Sequence, residues 1–148
     1  MKSGYRKGIF CVIYALNHVS SIRYLILKRK LHWKGWEFVK GGLKKSEKIL
    51  DAVKREIKEE TGVSGIEIGK FNVSGKYKYD KEFKEREGVI GQTYTLYSAR
   101  INKGKIKLDK LEHSKYKWVS FKRAMKKLTF ANQKKCLEIV HKYLEDEI

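Results

Sequence analysis

The sequence predicts an α/β protein, an α/β/α sandwich built around a mixed β-sheet. Three observations carry that expectation. Stretches rich in Ile, Val, Tyr and Leu recur along the chain, at 8–16, 23–27, 66–79 and 92–101. Two other segments, starting near 47 and near 131, repeat their apolar residues at three- and four-residue spacing, the period of an amphipathic helix. Helices this few cannot cover every strand of a doubly wound sheet.

Taken in order, residues 8–16 and 23–27, with 17–21 between them, read as a β-hairpin. Residues 30–46 contain two Trp and three Gly and read as a loop. A helix is expected from about Glu47, with Ser46 as N-cap and Glu47 complementing the helix dipole. Ile49, Leu50, Val53 and Ile57 give it one apolar stripe, and Thr61 and Gly62 end it, Gly62 as the left-handed residue past the last turn. Strands follow at 66–79, with a possible break, at 92–101 and at 115–119; the charged run 79–91 forms a loop. A short helix is expected at 120–127. A final helix at 131–144 buries Cys136, Ile139, Val140, Tyr143 and Leu144.

The composition suits one domain spanning 1–148. Of its 148 residues, 41% are hydrophobic and 35% charged, which excludes a disordered chain. No apolar run approaches the roughly 20 residues that span a bilayer, and the first apolar run lacks a cleavage site, so a cytoplasmic protein is expected. Cys11 and Cys136 lie far apart in apolar settings and read as buried small hydrophobes. The 35 Lys and Arg against 17 Asp and Glu leave a net charge of +18. Such a surface attracts polyanions, RNA and nucleotides among them, or reflects a lysine-rich composition; the lysines are spread along the chain and mark no discrete arm. No long exposed apolar face stands out, so a monomer is the default and a homodimer the alternative.

The most informative stretch is 41–63, GGLKKSEKILDAVKREIKEETGV. A glycine-led loop enters a helix that carries Glu56, Glu59 and Glu60 within about 100° of arc. Three carboxylates so close repel one another unless a cation neutralises them. Oxygen ligands of this kind suit Mg²⁺ or Mn²⁺, which can bridge carboxylates to substrate phosphates. Gly41 and Gly42 allow backbone to approach closely.

Gly41, Glu47, Arg55, Glu56, Ile57, Glu59, Glu60, Gly62 and Val63 occupy all nine specified positions of the Nudix box, and the chain is identified as a member of the Nudix hydrolase family. That resemblance implies an α/β/α sandwich and metal-dependent hydrolysis of a diphosphate linkage in a nucleoside polyphosphate. It implies that Glu56, Glu59, Glu60 and the Lys40 carbonyl hold the metal. It further implies that Arg55 and Glu47 steady the loop and orient the helix carboxylates, and that Glu56 or Glu112 is the base.

Residues 32–42 (HWKGWEFVKGG) and 112–144 resemble the corresponding parts of diadenosine tetraphosphate hydrolases. The resemblance matches Glu112 to a loop glutamate assisting metal or catalysis, Phe130 to an adenine-stacking aromatic, and His32 and Lys40 to basic residues near the phosphates. By the same resemblance Tyr77 or Tyr79 is the candidate for a second stacking face. The chain departs from that subfamily at Val39, where proline is usual, at Gly42, where some members have histidine, and at Gln92, where a phosphate-contacting lysine is common. Trp36, Phe38, Gly41 and Gly42 also resemble bacterial RNA pyrophosphohydrolases, and the lysine-rich run 76–86 suits either substrate. A bis(5′-nucleosyl)-tetraphosphate hydrolase is the leading expectation. An RNA 5′-triphosphate pyrophosphohydrolase, a house-cleaning nucleotide pyrophosphatase and a purely RNA-binding module are the alternatives.

Overall fold

Strand β2 (Gly8–Leu16) is the centre of the fold, and residues 8–15 of it are all buried. Phe10, Val12 and Tyr14 join one hydrophobic cluster, and Ile9, Cys11 and Ile13 join another. Successive strand side chains point to opposite faces, so a strand buried throughout needs cover on both. Helix α1 (Ile49–Thr61) supplies it on the Ile9 side through Val53 and Ile57. Helices α2 (Phe121–Lys127) and α3 (Ala131–Glu147) supply it on the Phe10 side through Ala124, Cys136, Leu137 and Val140. The computed structural model, which describes residues 4–17, 21–79 and 88–147, is therefore the expected α/β/α sandwich.

Among the described residues one mixed sheet of eight strands surrounds β2. Strand β7 (Gly91–Arg100) runs parallel to β2 along one edge. On the other edge, β3 (Ile22–Arg29) pairs antiparallel with the end of β2, and β5 (Val39–Gly42) pairs antiparallel with its beginning. Strands β1 (Tyr5–Arg6) and β6 (Glu67–Lys78) extend β7, while β4 (Gly35–Glu37) and β8 (His113–Val119) extend β3. The expected hairpin is β2–β3, and the expected break in the 66–79 strand is a register shift between Lys70 and Ser74. Cys11 and Cys136 are buried free thiols.

Several expectations need correction. The glycines of 30–46 do not make it a loop; it contains β4 and β5, and Gly41 and Gly42 are needed there for the room they leave. A Cβ on Gly41 would stand 2.2 Å from the Glu56 carboxylate carbon, and one on Gly42 would stand 2.0 Å from the Arg6 guanidinium. Ser46 is not the N-cap. It adopts φ 63, helix α1 starts at Ile49, and Lys48 holds the cap position without a side-chain hydrogen bond. Glu47 is drawn instead to the Lys44 amide and Arg55. Leu50 is 43% exposed, because the buried face of α1 runs through Ala52, Val53, Glu56, Ile57 and Glu60. Tyr143 is 50% exposed, with its ring edge-on to Phe71 of the sheet's outer strand, and Ile139 is half-buried. Of the expected charged loop, residues 80–87 lie outside the described residues.

Candidate active site

Helix α1 buries two carboxylates along with its apolar side chains. Glu56 is 7% exposed and Glu60 1% exposed, on the same face as Val53 and Ile57. Spacing of three and four residues places them there. Burial without a full counter-charge raises the proton affinity of a carboxyl group. Desolvation lifts Glu56 to about 7, against the opposing pull of Arg55, and burial likewise raises Glu60, against the pull of His113.

Arg55 ties the box together. Its Nε and Nη2 donate to the two oxygens of Glu47, both at 2.9 Å. Nη2 also donates to the Gly42 carbonyl at 2.9 Å, and Nη1 donates to Glu56 at 2.7 Å. This planar fork matches a carboxylate in a way that lysine cannot. The Arg55 bonds, with that from the Lys44 amide, hold Glu47 down at about 2. Glu47 and Arg55 thus clamp the loop after β5 to the helix. Glu59 takes a different place from its neighbours: its carboxylate is 45% exposed and lies 3.3 Å from Arg55 Nη1.

A second set of buried charges, absent from the sequence reading, lies behind Glu60. His113 Nδ1 is 2.7 Å from Glu60 Oε2, a contact without hydrogen-bond alignment, and its Nε2 is 2.7 Å from Glu37 Oε2. Glu37 is fully buried and also meets Arg29 at 3.4 Å and the Lys40 ammonium at 3.3 Å. Burial disfavours charge on both Glu37 and His113. Lys40, His113 and Arg29 outweigh it and lower the pKa of Glu37, while the two flanking carboxylates raise His113 to about 9. Charged residues facing inward on strands β3 and β4 were the available signal: Arg29 and Glu37 stand among residues that otherwise read as core.

Glu60, Glu112 and His113 each offer a ligand atom, and these atoms lie within 4.8 Å of one another. Glu60 Oε2 has no hydrogen-bond partner though buried. Buried carboxylates with raised proton affinity, an oxygen met only by the unaligned His113 ring, and a neighbouring loop carboxylate are the donor set of a hard divalent cation. The residues present fit such an ion, with Glu56, Glu60 and Glu112 as oxygen donors; both His113 nitrogens already face carboxylates.

These groups open on a cavity of about 610 Å³, lined by Glu56, Glu112, Gly41, Gly42, Arg6, Arg29 and Gln92 on the ionic side. Its other walls carry His32, Trp33, Lys40, Tyr77, Tyr79 and Phe130. The Lys40 ammonium lies 5.2 Å from the centres of both the Trp33 and Tyr77 rings. Phe130 is 43% exposed and stands edge-to-face on Trp33, with ring centres 4.8 Å apart. Tyr77 and Tyr79 form a second edge-to-face pair at 6.1 Å. Gln92 is tied into the frame: its amide nitrogen donates to the Gly41 carbonyl at 3.2 Å.

Residues 4–138 match the NUDIX domain family. The chain belongs to the Nudix family. It is a Nudix pyrophosphohydrolase, an enzyme acting on a phosphorus anhydride, in a family that generally uses a divalent metal. A relative from a Nitratiruptor species, named RNA pyrophosphohydrolase, is 30% identical over 95% of this chain and 96% of its own length. Among solved structures, a C. elegans Ap4A hydrolase binary complex superposes with a TM-score of 0.76 at 22% identity, covering 95% of this chain and 98% of that one. The E. coli dihydroneopterin triphosphate pyrophosphohydrolase gives a TM-score of 0.76 at 22% identity, covering 90% and 94%. At that identity the structures speak for the Nudix fold alone. No helix among the described residues is long and apolar enough to cross a membrane.

The Nudix fold thus brings Glu56, Glu112, His32, Lys40, Tyr77, Tyr79 and Phe130 around one cavity. It places Glu60 just behind that cavity, in the cluster with Glu112 and His113. Glu47 and Gly62 act at the ends of the box. Gly62, at φ 79, donates its N–H to the Lys58 carbonyl and closes helix α1. Glu37, His113, Arg29, Arg6 and Trp33 are the neighbours that sequence reasoning missed.

Proposed function

We propose that this Nudix enzyme is a Mg²⁺-dependent pyrophosphohydrolase that hydrolyses the 5′-triphosphate end of RNA to a 5′-monophosphate, releasing diphosphate. The observation carrying the reading is a single cavity where an acidic, metal-competent side meets a wall of Lys40, Trp33, Tyr77 and Phe130. The RNA pyrophosphohydrolase name of the Nitratiruptor relative and the net charge of +18 support RNA as the substrate.

Mg²⁺, or Mn²⁺ in its place, would supply Lewis-acid chemistry here, neutralising phosphate charge and lowering the pKa of a water. Glu56, Glu60 and Glu112 would hold it, with the Lys40 carbonyl and Glu59 as further oxygens. Arg55 keeps Glu56 aimed at the cavity, and His113, itself held by Glu37, backs Glu60. Glu56 and Glu112 are the carboxylates that face the cavity, and either can take the proton of the attacking water. Lys40, Arg6 and His32 meet phosphate charge. Phe130 and Trp33 give the first base a stacking face, worth about 1–3 kcal/mol.

A dinucleoside tetraphosphate is the second reading, favoured by a specific feature. The Trp33–Phe130 and Tyr77–Tyr79 pairs are two separate aromatic surfaces, as two bases require. A product-profile assay decides between them. Protein and Mg²⁺ are offered a 5′-triphosphate RNA, diadenosine tetraphosphate, 8-oxo-dGTP and ADP-ribose side by side. A 5′-monophosphate RNA as the dominant product supports the first reading. ATP plus AMP from the dinucleotide, with the RNA untouched, replaces it by the second. Turnover of 8-oxo-dGTP alone leaves a house-cleaning enzyme.

A further inference from the structure

Lysines are numerous everywhere in this chain, but one stretch carries them without neighbouring carboxylates in sequence. Residues 113–137 contain eight Lys and Arg and no Asp or Glu. This segment forms β8, α2 and the start of α3. Where β8 and β4 flank β3, three ammonium groups crowd one indole. Lys28, Lys117 and Lys127 lie 5.9, 5.7 and 5.7 Å from the centre of the half-buried Trp36 ring. Among the described residues no carboxylate forms an ion pair with any of the three, and exposed Lys115, paired in register with Lys28, adds to the same side. Like charges held this close favour binding of a polyanion.

The patch is continuous with the cavity. Trp36 and Thr129 are joined by two hydrogen bonds, Trp36 N–H to the Thr129 hydroxyl at 3.0 Å and Thr129 N–H to the Trp36 carbonyl at 3.2 Å. Thr129 precedes Phe130, which lines the cavity. Gly35 makes the junction tight: a Cβ there would stand 2.2 Å from the Thr129 hydroxyl and 2.7 Å from the Trp33 ring. A strand whose 5′ end is stacked at Phe130 needs only to pass Thr129 to reach the lysines.

We propose that the Trp36 face, with Lys28, Lys117 and Lys127, is a second binding surface for the body of a single-stranded RNA whose 5′ end occupies the cavity. This rests on the RNA reading above. Its chemistry is that of single-strand recognition: ammonium groups for the backbone phosphates beside an aromatic ring. The enzyme should therefore turn over long ends better than short ones.

The test compares the wild-type protein with Lys28→Ala/Lys117→Ala/Lys127→Ala on a triphosphorylated dinucleotide and on a triphosphorylated oligomer of about twelve nucleotides. In the triple variant kcat/KM on the oligomer should fall about tenfold through KM, with the dinucleotide within about twofold of wild type. The salt dependence of oligomer binding should flatten by a slope of about 2, from three lost phosphate contacts at about 0.7 each. Lys117→Gln, at an exposed position, should show a smaller loss in the same direction and guards against misfolding of the triple variant. Equal losses on both substrates, or a wild-type enzyme indifferent to length, overturn the proposal. If the wild type hydrolyses neither RNA, the functional reading fails separately. The surface is then judged by binding of a 5′-hydroxyl single-stranded oligomer, which the triple variant should lose and which polyglutamate should not displace. Retained binding, or polyglutamate binding as tightly, overturns it.

Discussion

Gly41→Ala is the sharpest perturbation available, because the wild-type residue is defined by what it lacks. Its φ lies outside the left-handed region, so alanine meets no backbone penalty there. The cost is contact alone. The new Cβ would stand 2.2 Å from the Glu56 carboxylate carbon and 2.3 and 2.7 Å from its oxygens. Ordinary contact begins near 3.4 Å, so the carboxylate must retreat by about 1.2 Å. It cannot do so freely, since Arg55 holds it at 2.7 Å and the side chain is buried. A displacement of about 1 Å in a reacting or coordinating group costs about 10²-fold in rate, or about 2.7 kcal/mol of transition-state stabilisation. The assay is kcat/KM across a Mg²⁺ titration, with circular dichroism to confirm the fold. Gly42→Ala is the comparison. Its Cβ would stand 2.0 Å from the Arg6 guanidinium, a flexible side chain that can swing away at the cost of its phosphate contact, so the loss should be about tenfold and appear in KM. Gly41→Ala activity within threefold of wild type would refute the reasoning, as would equal losses in the two variants.

Three further outcomes follow from the same geometry. Glu60→Gln should keep the fold and weaken the apparent Mg²⁺ affinity about 100-fold or more, read from activity against Mg²⁺ concentration; an unchanged Mg²⁺ requirement would remove Glu60 from the ligand set. Glu37→Ala leaves Arg29 and His113 buried beside an absent partner and should destabilise by about 3–5 kcal/mol in urea unfolding, and a loss under about 1 kcal/mol would contradict the buried chain of charges. Glu47 titrates at about 2 in the folded protein against an ordinary 4.5, so its contribution is complete above 4.5 and lost as pH falls through about 2. The stability gap between wild type and Glu47→Gln, read as urea midpoints, should be full near pH 6 and close towards pH 2; a gap that widens in acid would reverse the sign.

Local pattern made most of the fold legible. The unbroken apolar run of β2, the three- and four-residue spacing in α1 and α3, and the glycine ending α1 each follow from near neighbours in the chain. So did the box, whose Arg55 and Glu47 are only eight residues apart and meet across nearly two helical turns and the end of a loop. The reading failed where short-range signals mislead. Gly35, Gly41 and Gly42 looked like loop markers because glycine often is one, yet they lie in β4 and β5, where space for Trp33, Glu56 and Arg6 is what matters. Ser46 looked like a cap because the competing claim of Arg55 on Glu47 is not visible until the loop is folded.

The sequence by itself determined the layers, the family and the carboxylate-bearing helix, because periodicity and a nine-position motif are properties of contiguous residues. Tertiary structure alone decided that Arg29, Glu37, His113 and Glu60, spread over β3, β4, β8 and α1, form one buried line of charge. It alone put Lys28, Lys117 and Lys127 around a single indole. Those contacts are set by strand register, Lys28 opposite Trp36 and Ile26 opposite Lys117, which no spacing along the chain encodes.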